Sequence, residues 1–426
     1  MSELLSYYQK LAIAQFSSVP WIFKIQEKAL ADFTRLGFPH RHLEDWKYTP
    51  VDAFMQQSFS SEQSDTQSNA LTKTGLALPL TIQQSVILNH GYARGLDTLS
   101  SHIPKGVVIQ PLTQAFVENA DKLKPYLSKI LQHQHGFQAL NTAMLRHGLF
   151  IYLPAGVSLS DPLLLSHWQD KTGHATYLHH VVILEEGSSA SIIEDYQGDS
   201  RARYFTNTIT EVYLAEKAKL VHYKIERESK QAFHTGHVAV NQAAGSQLDS
   251  HSFSFGGQWV RSDISINLQA SEAQCTMNAI YAPSEGQHID HHTTVTHAAP
   301  HCRSEQDYKG ILTGHSCAVF NGRVIVDKDA QHTEAKQQNK NLLLSKQAEV
   351  YTKPQLEIFA DDVSCAHGAT VGQLDEDALF YLATRGIGRI EANRYLIQAF
   401  ATENLRKLVH EGFTDWIRTL LTQQVG

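Results

Sequence analysis

The sequence predicts a mainly β protein: a parallel, right-handed β-helix core flanked by N-terminal and C-terminal helical regions. Three observations support this prediction. Short β-branched, alternating runs fill about residues 150 to 372, and small and polar turn residues punctuate them at a nearly constant interval. Helix-like apolar spacing occurs on either side of that stretch.

Composition narrows the class of protein. The 426 residues carry 36 basic and 43 acidic side chains, and the net charge of -7 disfavours a nucleic acid or an anionic membrane as partner. No apolar run approaches the roughly 20 residues of a membrane helix, and the start lacks a leader pattern, so we expect a soluble, cytoplasmic protein. Four scattered cysteines indicate neither a disulfide framework nor a zinc knuckle, whereas 24 histidines hint at metal ligation.

Residues 1–145 are predicted to form an N-terminal helical or mixed region. In WIFKIQEKALADFTRLG, Leu30, Phe33 and Leu36 fall near one helical face, and Gly37 ends the helix. A polar linker is predicted near residues 56–76, because that stretch is rich in Ser, Gln and Thr and poor in large apolar residues.

Residues 146–372 are predicted to form the β-helix core. Repeated turns place small residues at register marks spaced by 28, 28, 27, 44 and 31 residues, and we interpret the 44-residue interval as one that holds an insertion. A period of this size with two strands per unit indicates a solenoid, in which stacked coils bury a continuous core. A β-sandwich is the alternative, since its turns also recur regularly. The register marks are Ala190, Ala218, Ser246, Ala273, Cys317 and Ala348.

Residues 373–426 are predicted to form a C-terminal helical domain. Asp375 precedes EDALFYLATRG as a helix N-cap, and Thr414 is placed to cap TDWIRTLLTQQV. Between them, Leu396, Ile397 and Phe400 recur at helical spacing. We expect these helices to cap the solenoid, because an uncapped solenoid exposes strand edges.

Several kinds of local catalytic motif are missing from the sequence. No Gly-rich loop ends in Gly-Lys-Ser or Gly-Lys-Thr, so ATP hydrolysis is not expected from this chain. Neither a Gly-x-Ser-x-Gly elbow nor a His-Glu-x-x-His motif occurs, which removes the local support for a serine hydrolase or a zinc protease.

The densest group of histidines is QHIDHHTTVTHAAPHC, between His288 and Cys302. In an extended strand His288, Asp290 and His292 share a face, and imidazole with carboxylate suits iron or zinc. The alternative is a strand ladder whose polar groups hydrogen-bond to neighbouring coils. We favour the ladder, because buried polar groups are usually satisfied in this way.

A second candidate site lies in FADDVSCAHGATVG, where Cys365 and His367 share a strand face beside Asp361 and Asp362. A thiolate with an imidazole suits iron or an iron–sulfur cluster, but the pair supplies two of the four ligands that a cluster iron needs, so another chain would complete the site. Two alternatives stay open. The residues could be structural, or His367 could activate Cys365 as a nucleophile, although no third orienting group accompanies them.

Long segments of the chain resemble the SufB/SufD family of SUF iron–sulfur cluster assembly proteins. The resemblance is carried by FNGRVIVDKDAQHTEAKQQNKNLLLSKQAEVYTKPQLEIFADDVSCAHGATVG, by RHLEDWKYT and by RGIGRIEANRYLIQAFATE. Two features favour the SufD-type branch. SufB-type chains usually carry Glu-His-Glu-Ala-Thr where this chain has Cys365 to Thr370, and they place a cysteine where this chain has Ala348.

The resemblance implies a scaffold subunit without catalytic activity of its own. It implies a complex with a SufB-like subunit and two copies of the ABC-type ATPase SufC, which would dock on the helices of residues 373–426. It also implies that His367 and Cys365 lie near the SufB/SufD interface and hold a nascent cluster. Iron or cluster would then be bound transiently in the complex, not tightly by the isolated chain.

Two rival functions come from other classes of protein. A β-helix could belong to a polysaccharide lyase or hydrolase, although fold alone does not establish such an activity. The chain could also form a purely structural homodimer, and the isolated chain is expected to be able to pair with itself.

Overall fold

The computed structural model of the chain describes residues 2–61, 84–99, 103–409 and 411–425. The predicted polar linker near 56–76 lies mostly outside the described residues. Its first part is described, and there Phe59 is buried and Ser60 forms a β-bridge with His174.

Helices lie on both sides of the β region, as predicted. A short 3-10 helix, Glu44–Trp46, interrupts the first part of the chain. The α-helices are α1 (Ser2–Ala14), α2 (Pro20–Leu36), α3 (Asp52–Met55), α4 (Leu96–Leu99), α5 (Leu112–Glu118), α6 (Ala120–Leu123), α7 (Gly136–Ala143), α8 (Glu376–Thr384), α9 (Arg389–Leu405) and α10 (Glu411–Val425).

Most of the chain between the helical parts forms β-strands. The strands are β1 (Gln84–Asn89), β2 (Tyr92–Arg94), β3 (Val108–Pro111), β4 (Leu149–Leu153), β5 (Leu163–Gln169), β6 (Ala175–Leu184), β7 (Ser189–Gly198), β8 (Phe205–Leu214), β9 (Lys219–Glu226), β10 (Phe233–Gln242), β11 (Gln247–Ser254), β12 (Trp259–Leu268), β13 (Gln274–Tyr281), β14 (His288–His297), β15 (Arg303–Leu312), β16 (Cys317–Val326), β17 (Thr333–Leu343), β18 (Glu349–Ile358) and β19 (Val363–Gly372).

From β4 onward, successive strands alternate between two sheets, and each strand pairs in parallel with the strand two places along the chain. The first sheet has the order β19-β17-β15-β13-β11-β9-β7-β5-β1-β2, and the second has the order β18-β16-β14-β12-β10-β8-β6-β4-β3. Together they form a parallel β-solenoid of about eight turns. The predicted β-helix is therefore confirmed, and the β-sandwich, which is built from antiparallel sheets, is excluded.

The predicted 44-residue interval with an insertion is wrong. Ala273 precedes β13 and Cys302 precedes the neighbouring strand β15, so Cys302 is the next register mark of the first sheet. Cys317 and Ala348 instead belong to the second sheet, where Cys317 pairs with Glu349. The predicted register marks therefore combine two sheets, because the turns before the strands of both sheets carry small residues.

The space between the two sheets, called the lumen below, is filled by alternate side chains of each strand. Neighbouring coils stack like on like there: Leu220 pairs with Leu248, and Leu248 pairs with Cys275, all three buried in one apolar cluster. Burial of this kind stabilises a solenoid by roughly 25 cal/mol for each Å² of apolar surface removed from water.

The N-terminal helices cover the outer face of the second sheet. The aromatic rings of Phe54 and Phe205 are 4.8 Å apart, and those of Phe137 and Trp259 are 6.0 Å apart. These contacts fix the segment that contains the 3-10 helix beside strands β14, β16 and β18.

The C-terminal helices cover the outer face of the first sheet. Asn404 of α9 donates from Nδ2 to Oδ1 of Asn278 at 2.6 Å, and the ring of Phe413 lies 4.7 Å from that of Tyr223. The expectation that these helices cap the strand edges is therefore wrong. They bind a face of the solenoid, and within the described ranges β18 and β19 each have one edge without a strand partner. Among the helices of the described residues, none is both long and apolar enough to cross a lipid bilayer.

One of the two predicted caps is confirmed. The side chain of Asp375 accepts hydrogen bonds from the backbone N–H groups of Asp377 and Ala378, as an N-cap does. Thr414 lies inside α10, which begins at Glu411, and its hydroxyl donates to the carbonyl oxygen of Leu405 at 3.4 Å. The prediction of a cap at Thr414 is thus wrong.

Candidate functional site

The predicted pair Cys365 and His367 lies on β19, the last strand of the first sheet. In the part of the chain that the structure describes, β19 pairs with β17 alone, in a register that places Cys365 beside Ala335 and His367 beside Gln337. Cys365 packs against the apolar cluster that contains Val324, so its side chain faces the lumen. His367 is two residues further along the strand and shares that face. The pair therefore lies at the mouth of the lumen.

The thiol of Cys365 is half-buried, and this burial raises its pKa above the ordinary value, an effect that the backbone N–H of Ala335 partly offsets. A raised pKa is the opposite of what an activated cysteine nucleophile needs. Cys365 of this chain is thus a protonated thiol at neutral pH, and a bound metal cation would be required to convert it to the thiolate ligand. His367 is exposed and accessible to a second chain.

One of the two acidic residues next to the pair, Asp362, is directed away from it. Asp362 precedes β19 at a corner of the solenoid, and its carboxylate lies 3.0 Å from Nδ1 of His332. Both side chains are largely exposed, so this ion pair belongs to the outer corner. The structure therefore does not bring the Asp362 carboxylate into the candidate site.

The open end of the solenoid is bordered by a groove of about 730 Å³. Residues Glu44 to Thr49 form one wall, and the outer faces of β16 and β18 form the other. The rings of Tyr48 and Tyr351 stack across it with centroids 4.3 Å apart, and Lys353 forms an ion pair with Glu44. The N-terminal segment thus packs against β18, the last strand of the second sheet.

The other histidine cluster is an ion-pair network on the outer face of the second sheet. Asp290 accepts from Nη1 of Arg261 at 2.7 Å and from the hydroxyl of Thr49, and it lies 3.1 Å from Nε2 of His292. Burial alone would raise the pKa of Asp290, but Arg261 and His292 hold it far below its ordinary value. His288 instead lies 3.3 Å from the Thr49 hydroxyl. Because Arg261 already supplies the cation, the hydrogen-bonded ladder is confirmed and the metal hypothesis fails.

Sequence reasoning missed a third cluster, inside the lumen. His167, His180 and Glu194 come from three different strands, and their potential ligand atoms lie within 4.8 Å of one another. However, Nδ1 of His180 accepts a hydrogen bond from the backbone N–H of Leu149 at 3.1 Å. The neutral ring therefore carries its proton on Nε2, which makes it a donor. This leaves two lone-pair ligands, fewer than a metal site needs. Only the strand register could have revealed the cluster.

Exposed apolar side chains mark a second surface, on the C-terminal helices. Phe380 is 72% exposed, Tyr381 is 57% exposed and Ile390 is 75% exposed. These residues lie on α8 and at the start of α9, whereas the rest of α9 packs on the first sheet. Large apolar side chains grouped on a surface in this way often mark a site of protein association.

The chain matches two family models that together span nearly all of it. The SufBD core domain of SUF-system FeS cluster assembly matches residues 167–400, and the N-terminal region of SufBD proteins matches residues 2–165. Iron-sulfur cluster assembly protein SufD of Escherichia coli is 32% identical over 94% of this chain and 92% of that protein. Protein ABCI7, chloroplastic, of Arabidopsis thaliana is 28% identical over 97% of this chain and 88% of its own.

A third relative is more distant. Iron-sulfur cluster assembly protein SufD of Bacillus subtilis is 25% identical over 75% of this chain and 74% of that protein. The two domain models meet within β5, because the N-terminal model ends at residue 165 and the core model begins at residue 167. On this evidence the chain belongs to the SufBD family of SUF-system iron–sulfur cluster assembly proteins.

Proposed function

We propose that this chain is a SufD-type scaffold subunit of a cytoplasmic SUF complex. Its partners would be a SufB-like chain and the ABC-type ATPase SufC, and its cargo a nascent iron–sulfur cluster held between chains. His367 and Cys365 would contribute this chain's share of the ligands. The chain itself would perform no ATP chemistry and would hold no tightly bound cofactor when isolated.

The observation that carries this proposal is the position of the pair at the open end of the solenoid. β18 and β19 are ten-residue strands, and each has one strand neighbour in the described structure. Long unpaired strand edges favour pairing with another chain, and proteins usually shorten or cover them. A second solenoid that docked here would cover both edges and bring its own ligands to Cys365 and His367.

The chemistry of the pair also favours a shared site. A cluster iron needs four ligands, and this chain offers one imidazole and one protonated thiol at the lumen mouth. A partner thiolate and sulfide would supply the rest, and the positive charge of iron would deprotonate Cys365. The same charge lowers the cost of burying the thiolate at an interface.

The ATPase is assigned to the C-terminal helices. The sequence lacks a phosphate-binding loop of its own. The exposed Phe380 and Ile390 offer the apolar anchors of a protein interface on the outside of the molecule. The helices are fixed to the first sheet through Asn404, so movement of a bound ATPase would be transmitted to the solenoid.

The test is cluster formation by the reconstituted complex with His367→Ala. The complex would contain this chain, the SufB-like chain and the ATPase, and it would be supplied with ferrous iron and inorganic sulfide. We expect the yield of cluster to fall at least about tenfold, because losing a ligand or the partner of a ligand weakens a metal site by about 10–100-fold. Visible absorbance and the iron and sulfide content measure the yield.

The matched control is His315→Ala. His315 is also exposed, but it lies at a turn of the solenoid, where its Nδ1 is 2.9 Å from Oε1 of Glu285. This variant should assemble clusters as the unmodified chain does. Full cluster yield with His367→Ala, or equal losses with both variants, would refute the role of His367.

A further inference from the structure

Three buried polar side chains form a connected row inside the lumen that ends next to His367. The hydroxyl of Thr293 donates to Oε1 of Gln306 at 2.8 Å, and Nε2 of Gln337 donates to the same oxygen at 3.2 Å. Gln306 and Gln337 are each 1% exposed. Oε1 of Gln306 accepts both bonds, so Nε2 of the Gln337 amide faces Gln306, and Nε2 of Gln306 is itself buried without a hydrogen-bond partner among the described residues.

The amide of Gln337 is held with its nitrogen toward β15 and its oxygen turned away from it. Gln337 lies on β17, which has β15 on one side and β19 on the other. Oε1 of Gln337 is buried and has no hydrogen-bond partner among the described residues. A side chain at Gly322 would collide with Nε2 of Gln337, so glycine at that position leaves the room that the amide occupies. A buried carbonyl without a donor is costly unless a donor comes to it.

His367 is the residue placed to supply that donor. It pairs in register with Gln337 on the neighbouring strand, and both side chains project from the same face of the first sheet. Adjacent strands lie about 4.8 Å apart, so in-register side chains on one face are within reach of each other. An imidazole N–H and an amide carbonyl at that spacing can form a hydrogen bond.

We propose that Gln337 is a positioning residue for His367: when the cluster site assembles, the unpartnered Oε1 of Gln337 accepts the ring N–H and leaves the other ring nitrogen free to bind iron. This inference rests on the proposed function of His367. A neutral imidazole carries one proton, and the partner of its N–H decides which nitrogen keeps the lone pair. An amide carbonyl orients the ring while stabilising the imidazolium ion, which cannot bind a metal, less than a carboxylate would.

Two substitutions separate this role from a structural one. Gln337→Met keeps the length of the side chain but removes the acceptor, and we expect cluster formation in the reconstituted complex to fall about 10-fold or more. Gln337→Glu restores an acceptor with a negative charge. We expect it to form clusters at high pH, with the pH profile shifted upward, because the carboxylate stabilises the imidazolium and iron must displace its proton.

Gln242→Met is the matched control. Gln242 is fully buried, donates from Nε2 to the carbonyl oxygen of Gln274 at 2.9 Å and also has an unpartnered Oε1 among the described residues. It lies several coils from His367, so its loss should cost similar stability without changing the cluster yield or its pH profile. Thermal melting of both methionine variants checks that they remain folded to a similar extent.

The outcomes distinguish this inference from the proposed function. If His367→Ala abolishes cluster formation while Gln337→Met leaves the yield intact, Gln337 has no positioning role and the proposed function stands. An unshifted pH profile for Gln337→Glu would also overturn the inference. If His367→Ala has no effect, the proposed function itself fails. Loss with Gln337→Met, a shifted profile with Gln337→Glu and normal yield with Gln242→Met would together support the role.

Discussion

The middle coils of the solenoid and its last coil differ in whether their polar side chains find partners within the chain. In the middle, buried charges are paired within the chain: Nζ of Lys224 lies 2.7 Å from Oε1 of Glu226, and Nδ1 of His234 lies 2.7 Å from Oε2 of Glu228. In the last coil, the exposed His367 shares its strand face with a half-buried thiol at an unpaired edge. The first arrangement is complete in one chain, and the second is the one that we propose another chain completes.

This difference separates stability from function along the axis of the solenoid. Each coil contacts its neighbours alone, so a change in the last coil weakens one interface, whereas a change in the middle weakens two. Reactive groups at the end can therefore be exposed without endangering the fold. Substitutions in the middle should lower stability, and substitutions at the end should lower assembly.

The largest loss of stability is expected from Arg261→Met in a middle coil. Arg261 is fully buried between Asp263 and Asp290, with Nη2 of its side chain 2.9 Å from Oδ1 of Asp263. Its removal leaves two buried carboxylates without their cation, which costs about 3–5 kcal/mol. Denaturant unfolding followed by circular dichroism measures the change. The double variant with Asp290→Asn should recover part of the loss, and a loss below about 1 kcal/mol would contradict the distinction between middle and end.

A smaller loss of stability, which arises in the middle coils, is expected when the pH is lowered. Burial, together with the smaller effects of the neighbouring His222 and Lys407, lowers the pKa of His251 to about 3. Because the folded pKa lies below the unfolded value of about 6.5, the contribution of His251 is complete above pH 6.5 and is lost as the pH falls toward 3. Between pH 7 and pH 5 this amounts to about 2 kcal/mol.

The variant His251→Gln tests this pH dependence. Gln can still accept from Nδ2 of Asn278, which lies 3.1 Å from Nδ1 of His251. Its unfolding free energy should therefore fall by about 2 kcal/mol less than that of the unmodified chain between pH 7 and pH 5. Equal losses for the two chains would show that His251 does not remain neutral in the folded state.

The sequence predicted the kind of fold because its signals are local. Alternation of period two and recurring turns specify strands and coils without knowledge of their neighbours. It could not predict which sheet a turn belongs to, because Ala273 precedes a strand of the first sheet and Cys317 begins a strand of the second sheet in similar contexts. Nor could it predict that the C-terminal helices cover a face, since that depends on distant contacts such as Asn404 with Asn278.

The candidate site was predictable to the same degree. Period two places Cys365 and His367 on one face from their spacing alone. That this face borders the lumen, and that Gln337 lies beside His367, follows from the strand register, which no local pattern contains. In the other cluster, Asp290 forms an ion pair with Arg261, which is distant from it in sequence. The sequence pattern therefore favoured a metal at a position where the structure has an arginine.

A change at the open end should affect assembly far more than stability. Ala369 is exposed on the lumen face of β19, two residues beyond His367. Ala369→Lys would place an unpaired charge where the partner solenoid is proposed to dock, which costs about 2 kcal/mol or more and weakens binding of the SufB-like chain at least about 30-fold. Its own unfolding free energy should change by about 0.5 kcal/mol or less, as for a surface site. Titration calorimetry with the purified partner measures the affinity.

Thr113→Lys on α5 is the control for this variant. Thr113 is also exposed, and it is far in sequence from the strands of the open end. It should bind the SufB-like chain normally. If the two lysine variants bind equally well, the end of the solenoid is not the docking surface.

The smallest effect is expected on the outer helices, where Phe380→Ser should leave the fold unchanged within about 0.5 kcal/mol. Because Phe380 is 72% exposed, its removal loses little packing within the chain. If Phe380 is an apolar anchor for the ATPase, its loss should cost about 1 kcal/mol of binding free energy, or about fivefold in affinity.

Val117→Ser on α5 is the control. It removes an apolar side chain that is 70% exposed and should not alter ATPase binding. Equal binding by both variants would place the ATPase elsewhere. A fivefold loss confined to Phe380→Ser, together with weak binding of the SufB-like chain confined to Ala369→Lys, would show that the chain has two independent docking surfaces, one at the end of the solenoid and one on its side.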